Sequence, residues 1–537
     1  MGAVMGNDDI EIGQQFLRRT YHGLAALLAE AHEAREEQVA LVRRTPFKLY
    51  RDVPRVDLDQ ELPLELGDLR AAFPAFAHLR PAPPQLDRPT LSRLLFYSYG
   101  FSRHDAGTAA EWPHHRVVPS ARCLFPSELY VFLPEDGELL GGLYHYDVPH
   151  HRLDRLRGAE AGPLLWACLG ERQDDARAVL LVSSLFWKTA AYYANFAYRL
   201  CTQEAGMVAG NALMVAGALG LRGQIRYQFL DRPLNRLLGL AAGEESTLAV
   251  LPLFAGEPAP ARRLAPTAAE DLLAQIAPIQ PATLGSAALD PQRCGLLLEI
   301  DRHSMLEDSA AIRRGLAFAP PHWSGSPALH PPAPAALPVD LAGALHARSS
   351  GDMFFRPDAR PIPAAVFWEI LRHALAPYSS DVQPEGAPPL LQLYVVVNHV
   401  GGVAPGVYRL DPQNGALASV AAGPQVERLR AVQSGMDCGA AAMVCYLAGD
   451  YVAVSAALRN RSYRILHAES GLVAQRLCLL GAAYGLAARC SDSYSLDATV
   501  ALLRLEDSPL LPLFQIALGY ERPGAGAGER YRLSIRF

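Results

Sequence analysis

The chain has 537 residues, half of them hydrophobic and 19% charged, and 49 Lys and Arg against 55 Asp and Glu give a formal net charge of −6. At roughly 100–200 residues per domain this predicts two to four domains with sizeable cores and excludes wholesale disorder. The near balance of charge excludes a general nucleic-acid or polyanion binder, because phosphate affinity needs clustered cations.

The sequence as given opens on Asp8, Asp9 and Glu11 rather than on a charged-then-apolar leader, so export is not expected and a cytoplasmic protein is. Leu17, Tyr21, Leu24, Leu27, Leu28 and His32 predict an amphipathic helix over 10–44, within a helical extension spanning 1–60 and free to dock a partner. A Pro-rich passage from Pro63 to Pro89 leads into a mixed block of short strands and helices, giving a first domain over 61–256. Proline then dominates 256–266 and 318–338; because it fixes φ and removes a donor, 257–340 reads as a linker, with one helical segment between. A second mixed block fills 341–537. The longest apolar stretch, Met207 to Leu221, contains Asn211 and is shorter than the roughly 20 residues that cross a bilayer, so no membrane association is expected. The eight cysteines are dispersed with no CxxC pair, which points to buried reduced thiols rather than a zinc site or a disulfide framework, and no metal is expected.

The two mixed blocks repeat one another. LYVF at 129–132 returns as LYVV at 393–396, and Gly142-Leu143-Tyr144 as Gly406-Val407-Tyr408, each followed by an Asp (Asp147, Asp411). Tyr198-Arg199…Glu204-x-Gly206 returns as Tyr463-Arg464…Glu469-x-Gly471, and both helices run to an Ala-x-Gly-Leu end at Ala218 and Ala483. Several ordered pairs at an offset of 264 or 265 mean a tandem duplication of one α+β domain. Two such copies can pack as a pseudo-dimer within one chain, and a site between them can become single.

Four segments carry candidate chemistry. Arg116…Pro119-Ser120-Ala121-Arg122-Cys123 is a turn before an apolar strand, suited to presenting backbone groups to a flat heterocycle, or else an ordinary loop. In Tyr192-Tyr193…Tyr198-Arg199…Glu204, Glu204 and Asn211 lie seven apart on one helix face, with either a site or a buried Arg199–Glu204 pair as the outcome. Tyr192, Tyr193, Tyr198 and Tyr227 cluster as phenols able to relay a proton. Arg348-Ser349-Ser350-Gly351 offers a guanidinium and two hydroxyls to a phosphate, or is a polar linker end. Arg530 and Arg532 join it if they converge there and otherwise solvate a tail. No HExxH, GxSxG, GxxxxGK[ST], EF-hand loop or GxGxxG is present.

With Leu91-Ser-Arg-Leu-Leu-x-Tyr97-Ser98-Tyr99-Gly100, the Arg116…Ser120 turn, Leu129-Tyr130-Val131, Gly142-Leu-Tyr144-His145-Tyr146-Asp147 and Tyr193…Tyr198-Arg199…Glu204-x-Gly206 in order, the chain resembles the SagB-type dehydrogenases of the flavin nitroreductase-like superfamily, which include azoline oxidases of thiazole- and oxazole-modified peptide pathways. The likeness is strong over 90–255 and weaker over 341–537. It implies an α+β fold, a mixed sheet flanked by helices in each copy, and FMN held between copies: Pro119, Ser120, Ala121, Arg116 and Glu204 on the ring side, Arg348, Ser349, Ser350, Arg489, Ser491, Arg530 and Arg532 on the phosphate side. The rear counterpart of the turn reads Pro388-Pro389-Leu390-Leu391, so one complete site and one degenerate, empty site are expected. The family turn usually carries Gly and Ala where this chain has Arg122 and Cys123, which narrow the approach. A family Lys-Tyr pair is replaced by Tyr192-Tyr193, with Lys188 one helical turn earlier, and these three are the candidate catalytic residues. The implied reaction is FMN-dependent dehydrogenation of a peptide or carrier-bound thiazoline or oxazoline to the azole, with a cyclodehydratase as partner. The alternatives are an NAD(P)H-dependent nitro or quinone reductase, and a non-catalytic scaffold of a biosynthetic complex.

Overall fold

In a computed structural model, residues 6–32, 36–82, 86–106, 113–135, 139–279, 281–316, 318, 327–334, 339–351, 354–384, 386–387, 389–433, 435–522 and 529–532 are described. Parts of the second Pro-rich stretch, Asp352, Met353, Pro388 and the Gly/Ala run near the end lie outside the described residues.

The repeat is visible as two sheets with one strand order. In the front copy six strands run Arg222–Ile225, Glu245–Phe254, Ala176–Leu185, Ser127–Leu133, Gly142–Asp147, Arg152–Gly158; in the rear copy they run Ala487–Ser491, Leu510–Gly519, Met443–Asp450, Gln392–Val397, Gly406–Leu410, Leu417–Ala422. The central strands are apolar along their whole length because both faces are covered: all seven residues of Ser127–Leu133 and all ten of Glu245–Phe254 are buried. One hydrophobic core runs through both copies, joining Leu129 and Val131 to Leu393 and Val395, and two further cores back the outer faces.

The copies exchange segments. Ser379–Ser380 of the rear copy adds to the front sheet, parallel to Arg222–Ile225, and Glu529–Arg532 pairs with Phe101–Ala106 of the front copy. Two 22-residue helices, Ala197–Ala218 and Ser462–Ala483, cross at the centre. Their backbones touch: a Cβ on Gly206 would meet the Ala468 carbonyl oxygen at 1.9 Å, and one on Gly471 would meet that of Gln203 at 1.9 Å. The glycine kept in both copies is therefore a steric demand of the crossing.

The motif arginine beside each crossing reaches into the other copy. Arg199 donates to Asp492 (2.7 Å), the Tyr494 hydroxyl (3.0 Å) and the Leu513 carbonyl (2.7 Å). Arg464 and Arg461 both donate to Asp231. The alternative of an Arg199–Glu204 pair is thus not formed; a buried guanidinium found a carboxylate 293 positions away instead.

The expected single helix over 10–44 is three helices, Glu11–Tyr21, Leu24–His32 and Glu36–Arg44. The first break falls at His22-Gly23, where a glycine weakens helix continuation. The first helix is also not free to dock: Phe16 is wholly buried, edge-on to Tyr198 (5.7 Å) and Tyr463 (4.9 Å) over the crossing, and Tyr21 bonds His467 (3.0 Å). Between the copies, Pro291–His303 does more than connect. It packs on the front copy as Glu11–Tyr21 packs on the rear: Leu297 N–H donates to Asn195 (2.9 Å) and Gly13 N–H to Asn460 (2.8 Å), two asparagines 265 positions apart. Among the described residues no helix is long and apolar enough to cross a membrane.

Candidate active site between the two copies

The turn 119–125 of the front copy bends the chain back under the strand Ser127–Leu133. Three non-glycine residues in it, Arg122 (φ 51°), Cys123 (φ 54°) and Phe125 (φ 48°), occupy the left-handed region. Each costs about 1 kcal/mol, and such strain collects where a backbone shape is needed for binding. The resemblance expects Gly at the Arg122 position, so this chain keeps the shape without the residue that makes it easy. Inside the turn, Ser120 accepts from the Phe125 N–H (2.9 Å), and the Cys123 N–H donates to the Ser120 carbonyl (3.1 Å).

Glu204 braces the turn from the long helix. It accepts from the Tyr99 hydroxyl (2.9 Å), the Ser127 hydroxyl (3.0 Å) and, more weakly, the Ser127 N–H (3.4 Å). Burial raises its pKa, while hydrogen bonds from Ser120, Tyr99 and Ser127 pull the other way. Asn211, on the same face, donates to the Tyr97 and Ser98 carbonyls (both 2.8 Å) at the end of the helix Arg88–Tyr99. Arg116 lies under the turn with its guanidinium 4.2 Å from the Tyr99 ring centre and 5.2 Å from that of Phe125; its Nε and Nη1 meet no hydrogen-bond partner among the described residues.

The rear copy closes the other side. Arg348 donates from Nε to the Val117 carbonyl (3.0 Å), from Nη2 to the Arg116 carbonyl (3.1 Å) and from Nη1 to the Ser350 hydroxyl (3.3 Å). It is buried, and desolvation, followed by repulsion from Arg103, pulls its pKa down to about 10. The strand Ala487–Ser491 holds the same segment: Ala488 N–H donates to the Ser349 carbonyl (2.9 Å) and Arg489 Nε to that of Ser350 (2.8 Å). Ser349 donates to Glu521, and Gly351 turns the chain at φ 74°. Ser491 accepts from Gln433 (2.9 Å), on the far end of the strand. The backbones of Arg530 and Arg532 lie opposite Asp105 and Arg103.

Of the candidate catalytic residues, all three sit on the helix Phe186–Tyr193, whose helical backbone puts Lys188 one turn before Tyr192. Arg122 of the turn touches both tyrosines: its guanidinium is 5.2 Å from the Tyr192 ring centre and it hydrogen-bonds Tyr193. Burial raises the Tyr193 pKa, offset in part by Arg122. Lys188 is buried, donates to the Phe125 (2.9 Å) and Pro46 (2.8 Å) carbonyls, and is pulled down to about 8 by desolvation. Tyr198 and Tyr227 do not join them. Tyr198 is at the helix crossing beside Tyr463, and Tyr227 faces Glu469 of the rear copy. Helical spacing alone could not separate these four phenols.

The donor set suits a flat anionic group. Arg348 is a buried cation whose named partners are all neutral oxygens, with three of its five N–H donors used, and Arg116 adds unpaired donors below the turn. A buried cation with no anion is costly, and a phosphate removes that cost. The residues therefore fit a flat anionic group such as FMN; with Ser349 bonded to the Glu521 carboxylate, Arg348, Ser350 and Arg489 are the donors that would meet its phosphate.

No protein-family model matches the chain. A protein of Methanocaldococcus jannaschii named as a nitroreductase is 27% identical over 165 residues, 30% of this chain and 78% of that protein. The trifolitoxin-processing protein TfxB of Rhizobium leguminosarum bv. trifolii is 32% identical over 108 residues, 19% of this chain but only 28% of that protein. A crystal structure of a protein from Anabaena variabilis, also named as a nitroreductase, superposes with a TM-score of 0.69 at 21% identity, covering 95% of this chain and 99% of that one, so the whole doubled arrangement recurs. The chain therefore has a nitroreductase-like fold in which two copies of the domain are fused as an intramolecular pseudo-dimer.

Proposed function

We propose that this protein binds one FMN per chain between the front turn and the rear Arg348 segment, and dehydrogenates a thiazoline or oxazoline in a peptide or carrier-bound precursor to the azole. The observation that carries the reading is the buried Arg348, reaching from one copy to the carbonyls of Arg116 and Val117 in the other. Pro119, Ser120 and Ala121 would face the ring, and Arg348, Ser350 and Arg489 would hold the phosphate. The flavin supplies two-electron chemistry when bound.

The chain's own residues supply the rest. Azoline oxidation needs a base for a ring C–H proton. Lys188, lowered to about 8, is the group on this helix that is partly neutral near physiological pH. Tyr193 keeps its proton and serves as relay and hydrogen-bond donor, oriented by Arg122. The likeness to a trifolitoxin-processing protein supports a peptide substrate, and a cyclodehydratase is the partner that would supply its azoline.

The test is purification followed by an absorbance spectrum, with about one flavin per chain expected, then incubation with an azoline peptide, expected to lose about 2 Da. The rate should rise with pH through an inflection near 8 that vanishes in Lys188→Met. A colourless protein that refuses added FMN overturns the reading. The match to a protein named as a nitroreductase favours a second reading, in which NADPH bleaches the flavin and nitroaromatics turn over while azolines do not.

A further inference from the structure

Beside the site lies a pair of cysteines that the reaction above does not use. Cys478 is on the long rear helix and buried; Cys490 is on the edge strand Ala487–Ser491 and partly exposed. Their sulfurs are 3.6 Å apart, close enough for one thiol to donate to the other. We propose that Cys478 and Cys490 are a reversible thiol–disulfide centre, which closes on reaction with a peroxide and reopens with a dithiol reductant.

The surroundings distinguish this pair from the other thiols. Burial pushes Cys294 up to about 11 and Cys201, Cys438 and Cys445 up to about 12, so those sulfurs stay protonated and inert. Cys478 alone is pulled the other way, by the hydrogen bond from Cys490 and then by the Arg348 charge, against desolvation. Cys490 is correspondingly pushed up, so one proton is shared and thiolate character rests on Cys478. That is the arrangement of a peroxide-accessible sulfur backed by a resolving one.

The steps balance. Hydrogen peroxide meets the partly exposed Cys490, whose proton passes to Cys478 as its sulfur attacks: an S–O bond forms, the O–O bond breaks, and hydroxide leaves. The Cys478 sulfur then attacks Cys490; the S–S bond forms, the S–O bond breaks, and the second hydroxide leaves with the Cys478 proton as water. Two sulfurs lose two electrons and the peroxide gains them. The strand that carries Cys490 also carries Ala488 and Arg489, which hold Ser349 and Ser350, so closing the pair bears on the Arg348 segment. The centre itself needs no bound flavin, and its test stands apart from the proposed activity.

The full chain, reduced and freed of reductant, is treated with a small excess of hydrogen peroxide, and its free thiols are counted in denaturant. The count should fall from eight to six, a digest under non-reducing conditions should contain one peptide linking Cys478 to Cys490, and dithiothreitol should restore eight. Cys478→Ser and Cys490→Ser should each abolish the linked peptide, whereas Cys123→Ser should keep it. If Cys478 and Cys490 are both recovered as free thiols while the protein stays folded, or if peroxide links a different pair, the proposal fails. The wild-type digest decides this even where a variant does not fold.

Discussion

The fusion makes two places where one copy's turn meets the other copy's edge strand, and they have diverged. At the front turn Glu204 holds the hydroxyls of Tyr99 and Ser127 together with the Ser127 N–H, and the cations Arg116, Lys188 and Arg348 lie around it. At the rear counterpart Glu469 accepts from Gln383 (3.2 Å) and, weakly, the Leu390 N–H (3.4 Å), and it faces the Tyr227 hydroxyl. Asp381 occupies the backbone N–H groups of Tyr227 and Gln228 (both 3.0 Å), and Phe73 stacks on His373 at 4.6 Å. Two buried carboxylates and a layer of rings stand where the front has cations. Arg476, flanked by Phe73 and Tyr378, acts on Glu469, and Arg226 and Arg314 act on Asp381. On the proposed function, the first place would hold the phosphate and the second would be its filled counterpart.

The largest effects should come from what the two places share. Gly206→Val and Gly471→Val both drive a side chain into a backbone carbonyl of the crossing helix, and each should cost about 3 kcal/mol or more in urea unfolding. If one is tolerated, the two-fold character of the crossing is wrong.

Next comes a change that acts on the rear place alone. Burial raises Glu469 to about 7 from an ordinary 4.5. The folded state then holds a proton that the unfolded state releases between these values, so this group's contribution is full below about pH 4.5 and is lost as pH rises through 7. Glu469→Gln keeps the neutral form. It should stabilise the protein by about 2–3 kcal/mol at pH 8 and change little at pH 4.5, with flavin content unaltered. Arg348→Ala should do the reverse at the front place: about 2 kcal/mol of stability lost with the hydrogen bonds to Val117 and Arg116, and flavin absorbance lost with it. Flavin retained by Arg348→Ala, and lost by Glu469→Gln, would exchange the roles of the two places.

How much of this could be read from residues alone follows from distance along the chain. The repeat was legible because strands and long helices keep their spacing, and Gly206 and Gly471 because contact at the crossing tolerates nothing larger. The Arg348 segment and the Ser120 turn were legible as chemistry, and so was their place in different copies. The correspondence between Glu11–Tyr21 and Pro291–His303 was not, because EIGQQFLRRTY and PQRCGLLLEIDRH share no pattern; only the asparagines they meet, Asn195 and Asn460, sit at the repeat spacing, and those carried no signal by themselves. For Arg199 the sequence displays Glu204 as a helical neighbour, whereas its partner Asp492 comes from the other copy. Tyr227 likewise belongs with Glu469, across the interface, rather than with Tyr193.

The smallest expected effect tests the same asymmetry on the helix that backs each turn. Lys188, Tyr192 and Tyr193 of the front copy correspond to Ala453, Ala457 and Leu458 of the rear, so the rear helix has nothing to give or take a proton at these positions. Tyr193→Phe removes one hydroxyl from a half-buried ring and leaves its packing, so stability should hold within about 1 kcal/mol while azoline turnover slows about tenfold, near 1.4 kcal/mol in barrier. Leu458→Met, at the matching rear position, should leave turnover unchanged. Equal slowing by both would mean that the rate follows the packing of the pseudo-dimer rather than a proton held at Tyr193, and the front helix would then be a support for the turn and no more.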